Sequence, residues 1–389
     1  MNILLCTKLC VQHVLEMLTP FRSESMNEFV ITATRSMRGY AARVVQHLLT
    51  IPSFSDMADT IDGVELLRAE QFADGEMEVA VGKSVRGKDI VLFSSSAEND
   101  ARIHVNEAKI ELYHAVDALK RSQAKNIIVF EPFISCSRSD RTTRRNSVGL
   151  WMHFKILSSL GVSHIVTYQL HSQSQTMLDP SLCAIDDIPA LNLLKRYLCD
   201  VYVRDMATLE NKVRPHWAFC SVDAGGEPFA RQFANAFGAP LVVAHKQRDY
   251  SKANTIESIN ILSAEPIENK VLWIVDDMID TAGSVDSLIR ALKPLRPKEI
   301  NLIAAHAILS PPASERLNCL VQEKTINRIL VTDTVSSPVR LQEIPHVEVI
   351  PSSKLSASII RILLLKESMS KLMVPFSAEH YLKSPGLFN

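Results

Sequence analysis

No apolar run in this 389-residue chain reaches the roughly 18 residues of a membrane-crossing helix. Nor does it have net charge to speak of: 42 basic and 43 acidic residues leave −1, so bulk electrostatics favour neither nucleic acid nor acidic lipid as partner. It has no C-x-x-C pair, and its seven cysteines form no His/Cys cluster at zinc spacing. An odd, dispersed cysteine set fits a reducing compartment, and the expectation is a cytoplasmic protein. The repeat that a βα-barrel would require is missing, and the two halves of the chain do not repeat each other.

What is there is an ordinary globular composition, 47% apolar and 22% charged, in a chain long enough for two α/β domains. Residues 1–25 read as an N-terminal extension or an overlong start assignment, with an amphipathic helix, Leu9, Val14 and Leu18 among its apolar positions, as one reading. Lys8, Gln12, His13 and Glu16 break it too often for a signal peptide, and a second methionine follows at 26. Apolar runs that suit buried parallel strands then alternate with segments of helical period. Strands are expected at Phe29–Ile31, Ile90–Phe93, Ile127–Phe130 and Ser163–Tyr168, with helices near Met37–Leu49, Glu107–Lys120 and Val148–Leu160. Val64-Glu65-Leu66 reads as strand-like, and Asp74-Gly75 marks a hairpin turn before the alternation Met77, Val79, Val81. The turn Asp179-Pro180-Ser181 and the acids Asp186-Asp187 loosen the chain, which places a domain boundary near 185. The second domain spans 186–350. The remainder, 351–389, is a helix followed by a loosely held tail, the helix packing on the first domain.

Chemistry concentrates at strand ends. Val271 to Val275 is an unbroken apolar strand, followed by Asp276 and Asp277, then Asp280-Thr281-Ala282-Gly283-Ser284, then a helix carrying Val285, Leu288, Ile289 and Leu292. Small residues before a helix let backbone N–H groups approach an anion, and adjacent acids suit a sugar diol or a metal. The pattern predicts a phosphorylated-sugar site, the bland alternative being a solvated acidic corner. Asp223-Ala224-Gly225-Gly226 follows the strand Trp217–Cys220 and forms a second such corner, fit for a diphosphate or for a plain turn. Lys246 and Arg248, two apart in a polar loop after Leu241–Ala244, would present side chains on one side. Arg138, in the loop after Ile127–Phe130, is a fork-shaped anion donor. His171 ends the strand Ser163–Tyr168, beside amides at Gln173 and Gln175. For Arg138 and His171 an ordinary surface or packing role is an equal reading.

Taken together, these residues resemble the ribose-phosphate diphosphokinase (phosphoribosyl-pyrophosphate synthetase) family from about Phe29 to Met373. Val275 to Ser284 is similar to its phosphoribosyl-binding signature, shared with type I phosphoribosyltransferases. Ser84-Val85-Arg86-Gly87, Pro132 to Arg141, Leu170-His171 and Asp223 to Gly226 match further family segments in order. The resemblance implies two similar open parallel-sheet α/β domains and the reaction of ATP with ribose 5-phosphate. It assigns catalysis to Lys246, Arg248 and His171. Asp223, Gly225, Gly226, Asp276, Asp277 and Asp280 to Ser284 would bind the sugar phosphate and diphosphate. Phe72, Asp74 and Glu76, reaching a neighbouring subunit, and Arg138, Ser139 and Asp140 would bind ATP, and Mg²⁺ would lie at His171 and Asp223. A dimer-based homo-oligomer, up to a hexamer, is also implied. The chain departs from the family at Cys136 (an aromatic there), Ser139 (a glutamine) and Gln169 (an aspartate, whose loss removes a charge near the metal). Those departures leave room for a non-catalytic regulatory paralogue, and the signature alone for a type I phosphoribosyltransferase.

Overall fold

A computed structural model describes residues 29–97, 103–142, 145–172, 178–248, 256–335 and 338–384. The amphipathic segment expected over 1–25 lies outside the described residues, as do Gln173 and Gln175. Seven strands belong to the first half: β1 (Phe29–Ala33), β2 (Leu67–Gln71), β3 (Met77–Val81), β4 (Asp89–Phe93), β5 (Asn126–Glu131), β6 (His164–Tyr168) and β7 (Ala184–Ile188). β1, β4, β5, β6 and β7 lie side by side in chain order, every pairing parallel, while β2 and β3 form a separate antiparallel hairpin. The second half adds β8 (Trp217–Ser221), β9 (Leu241–Arg248), β10 (Ile256–Ser263), β11 (Val271–Ile279), β12 (Glu299–Ala307), β13 (Arg328–Thr332) and β14 (Val347–Ile350). Their order is β10-β9-β8-β11-β12-β13-β14, parallel except for β9 against β10. The expected pair of open α/β domains is what the chain forms.

The apolar runs explain the buried strands. β1 and β8 are buried at every residue, as sheets covered by helices on both faces require. Between the sheets, one continuous core joins Phe93, Phe130 and Tyr168 of the first to Phe219, Trp273 and Ile350 of the second. Trp217 anchors it, with ring centres 5.3 Å from Trp273 and 6.0 Å from Phe237. Such aromatic pairs add about 0.5–1.5 kcal/mol each beyond the area they bury. The helix Ser353–Leu364 packs on the helix Arg38–Leu49 of the first half. Tyr40 bonds Ser352 and Ser356 at 2.7 Å, and Tyr168 bonds Ser356 at 2.7 Å. The two sheets are therefore held at a set distance by shared apolar and hydroxyl contacts.

Four expectations change. The boundary near 185 falls inside β7, which completes the first sheet; two acids in a five-residue edge strand hide it, because an edge tolerates charge. Val64–Leu66 is not a strand, and the hairpin's first arm is β2. The strand ending at Ala244 runs on to Arg248, because β10 supplies an antiparallel partner. The tail after the helix Ser353–Leu364 is not loose as far as 384: Ala378–Lys383 is a helix that buries Ala378 and Tyr381, with Tyr381 Oη donating to Asp200 and Arg214 bonding Glu379.

Candidate functional site

In the second sheet the chain crosses from one side of β8 to the other. β9 and β10 lie on one flank and β11 on the opposite one, so the strand order reverses between β8 and β11. Loops after two such strands diverge and leave a crevice at their carboxyl ends. The first sheet, with its strands in chain order, has no reversal among its described strands. The crevice of the second sheet is a cleft of about 500 Å³ lined by the loop after β8, by Asp276 to Val285, by His245, and by Arg138, Arg141 and His171 from the first half.

Asp276 and Asp277 are not beyond the strand but inside it. β11 pairs with β12 as far as Ile279 opposite Ala307, whereas its pairing with β8 stops at Val275 opposite Ser221. Past Val275, one edge of β11 is open toward the crevice. Consecutive strand residues point to opposite faces. Asp277 is 2% exposed and its Oδ2 accepts from His171 Nδ1 at 2.8 Å. Asp276 lies toward the β8 loop, where a β-carbon on Gly226 would come within 3.5 Å of its Oδ1. Burial, then the neighbouring charges of Asp277 and Asp223, push the Asp276 carboxyl far above the usual carboxylate range. The hydrogen bond to Asp277 raises the His171 imidazole above its ordinary value despite partial burial, with Asp140 adding to the effect.

The loop after β11 runs directly into the helix Gly283–Leu292. Ala282 caps the helix Gly283–Leu292 in the left-handed region (φ 57°), a conformation that costs a non-glycine residue about 1–2 kcal/mol. The first helical turn leaves backbone N–H groups without helical partners. Arg316 Nη1 bonds the Thr281 carbonyl at 2.8 Å and lies where a β-carbon on Gly283 would come within 3.1 Å. Arg316 stands 35 residues from Thr281, and no local pattern marks it. Asp223 Oδ1 accepts from the N–H groups of Gly225 and Gly226 at 2.9 and 3.1 Å. The carboxylate thus organises the glycine loop that was expected to meet a diphosphate.

Other candidates are placed differently from expectation. Arg138 Nη2 forms a 2.7 Å pair with Asp280 Oδ2, bridging the two halves at the cleft. Ser139 does not line the cleft. Its Oγ accepts from Gly149 N–H at 2.9 Å and donates to Ser147 O at 3.3 Å, stitching the loop to the helix Gly149–Ser159. Gln169 also faces away, since its Oε1 accepts from Leu191 N–H at 3.4 Å. The Gln169 side chain meets the start of the helix Leu191–Leu198. Asp140 acts on the site through its field. Phe72, Asp74 and Glu76 form the exposed tip of the β2–β3 hairpin and do not line this cleft. Lys246 and Arg248 lie in β9 opposite Ile259 and Ile256, and their side chains lie outside the described residues. His245 and Arg141 line the cleft; their closeness in sequence to Lys246 and Arg138 was the available signal.

Among the described residues no three His, Cys, Asp or Glu side chains form a ready metal cage. The carboxylates fit a hard divalent ion of another kind. Mg²⁺ uses one or two carboxylates and takes its remaining oxygens from water and substrate. The crowding that raises the Asp276 carboxyl is what such an ion would relieve.

Residues 29–161 match the family model of the N-terminal domain of ribose phosphate pyrophosphokinase, and residues 205–329 match that of the phosphoribosyl transferase domain. The ribose-phosphate pyrophosphokinase of Helicobacter pylori is 31% identical over 303 residues, 78% of this chain and 86% of that one. That of Bifidobacterium longum is 31% identical over 331 residues, 84% and 90%. A crystal structure of phosphoribosylpyrophosphate synthetase from Mycobacterium smegmatis superposes with a TM-score of 0.71 at 26% identity, covering 87% of this chain and 99% of the other. On its sequence and its fold alike, the chain belongs to the ribose-phosphate pyrophosphokinase family.

Proposed function

We propose that the chain transfers the β,γ-diphosphoryl group of ATP to the anomeric hydroxyl of ribose 5-phosphate, giving phosphoribosyl pyrophosphate and AMP. The observation that carries this reading is the single cleft in which a sugar-phosphate cradle meets Arg138, Arg141 and His171 from the other half of the chain. A phosphoribosyltransferase would need the cradle but not that nucleotide side.

In this reading the first-turn amides after Ala282 hold the 5-phosphate. Asp276 and Asp277 hold the ribose hydroxyls. The anomeric oxygen attacks the β-phosphorus, the bond from that phosphorus to the oxygen of the α-phosphate breaks, and AMP leaves with the electron pair. The anomeric proton passes to solvent. Lys246 and Arg248 neutralise charge on the transferred group. Lysine suits a moving point charge and arginine a fixed fork. Mg²⁺ held by Asp223 and phosphate oxygens would supply neutralising charge when bound. His171, held by Asp277 and favoured in its charged form, serves better as a donor to phosphate oxygen than as a ligand of a hard ion. Arg138 exchanges Asp280 for a nucleotide phosphate.

We also assign the chain to the cytoplasm and to a homo-oligomer. The five cysteines described are all free, and the exposed hairpin tip Phe72–Glu76, which does not line its own cleft, suits the nucleotide site of a second copy. The test of function is AMP release from ATP with and without ribose 5-phosphate and Mg²⁺. Sugar-dependent AMP is the expected result. Its absence would favour a non-catalytic paralogue, and release of diphosphate from phosphoribosyl pyrophosphate would favour a phosphoribosyltransferase.

A further inference from the structure

His306 is fully enclosed at the carboxyl end of β12, opposite Met278 of β11. Its ring touches three separate parts of the site. Nε2 lies 3.1 Å from the carbonyl oxygens of both Tyr168 and Gln169, three and two residues before His171. Nδ1 lies 2.8 Å from Thr334 Oγ1. The ring face lies 4.8 Å, centre to centre, from Phe133, at the root of the loop that carries Arg138. Phe133, Met278 and Val335 form a small apolar cluster of their own beside it.

Two carbonyl oxygens can only accept, so Nε2 carries the hydrogen. In that tautomer Nδ1 accepts from the Thr334 hydroxyl, and the hydrogen-bonding capacity of the ring is met without charge. Burial lowers the affinity of the ring for a second proton, in keeping with a neutral imidazole. Gln169, whose carbonyl is one of the two acceptors, adopts a left-handed backbone (φ 46°). A non-glycine residue keeps that conformation only where its surroundings hold it. The turn that delivers His171 to Asp277 is thus clamped from the second sheet.

We propose that His306 is a positioning residue for the transfer: it fastens the Tyr168–Gln169 turn to the second sheet, so that His171 stays on Asp277 while Phe133 seats the Arg138 loop. This rests on the proposed transfer for its kinetic consequence, but its geometric content does not. A shift of about 1 Å in a reacting group can cost up to a hundredfold in rate. The His306 ring bonds Tyr168, Gln169 and Thr334 and reaches Asp277 only through His171, so the loss is expected in kcat more than in the KM for ribose 5-phosphate.

The experiment compares wild type with His306→Gln, which keeps an N–H donor, His306→Phe, which removes it, and Thr334→Val, which removes the hydroxyl that holds Nδ1. Sugar-dependent AMP release gives kcat and KM. Carbethoxylation of His171, followed by mass spectrometry in the absence of substrates, reports its accessibility without turnover. His306→Phe is expected to lower kcat about tenfold or more with the ribose 5-phosphate KM within about twofold, and to raise the His171 modification rate severalfold. His306→Gln recovers most of both, and Thr334→Val falls between. Wild-type kcat and His171 reactivity in His306→Phe would overturn the proposal. So would equal losses in His306→Gln and His306→Phe at equal melting temperature. If His306→Phe does not fold, Thr334→Val decides by the same two readouts. A wild type without sugar-dependent AMP release would refute the transfer, while the His171 modification rates would still decide the clamp.

Discussion

Removing Arg138 separates a strap from a binding residue. Its guanidinium makes one 2.7 Å contact with Asp280, and the two side chains are 49% and 25% exposed. Solvent screens such a pair and two long side chains lose freedom in making it, so its worth to stability is about 0.2–1 kcal/mol. For domains of this size about 1 kcal/mol moves a melting temperature by about 2–4 °C. If Arg138 turns to a nucleotide phosphate, it makes a charge-assisted hydrogen bond worth about 1.5–3 kcal/mol. At about 1.4 kcal/mol per factor of ten, Arg138→Ala should raise the KM for ATP about ten- to a hundredfold while barely moving the melting temperature. The assay is AMP release across ATP concentrations, with a thermal melt on the same samples. Asp280→Asn is the control. It breaks the same pair but leaves the guanidinium, so its KM for ATP should stay level or fall. A drop of many degrees in Arg138→Ala with an unchanged KM for ATP would refute the argument and make the pair a structural strap.

Lys195 tests burial in the core between the sheets. The residue is 2% exposed, its amine meets Asn192, Gln232 and the Phe233 ring among the described residues, and burial pushes it from 10.5 down to about 7. That drop corresponds to about 5 kcal/mol against the buried charge. The penalty is full below pH 7 and fades as pH rises toward 10.5, because there the unfolded chain binds the extra proton. Lys195→Met should therefore stabilise the fold most at pH 6 and least near pH 10. A urea-midpoint difference that does not vary with pH would contradict this. Ser139→Ala should cost about 1 kcal/mol of stability by orphaning Gly149 N–H and leave the KM for ATP unchanged; a raised KM would return Ser139 to the nucleotide site. Lys246→Ala should lower kcat at least about a hundredfold, and near-normal turnover would remove Lys246 from the mechanism.

Much of the site was legible because its parts are local. A buried strand, a loop of small residues and the start of a helix occupy consecutive positions, as in Val271 to Leu288, and the anion-binding geometry follows from that order. Where a residue's role depends on what stands opposite it, the chain was silent or misleading. Ser139 and Gln169 were read against the cleft because of their neighbours in sequence. Yet one bonds a helix that starts ten residues on, and the other bonds the N–H of Leu191. β7 and β10 went unseen for a related reason. Edge strands show weaker apolar patterning, and their state is decided by the partner strand.

The sequence by itself determined the fold class and the strand–loop–helix corners, because backbone period, turn chemistry and helix starts act over a few residues. Only the tertiary structure decided that β11 loses its partner at Val275 and so opens Asp276 to the cleft. It also decided that His171 pairs with Asp277, that Arg138 reaches Asp280, and that His306 lies between the halves. Those contacts join residues 28 to 173 positions apart. They depend on the reversal of strand order at β8 and on the shared core that sets the distance between the sheets, and no local pattern encodes either.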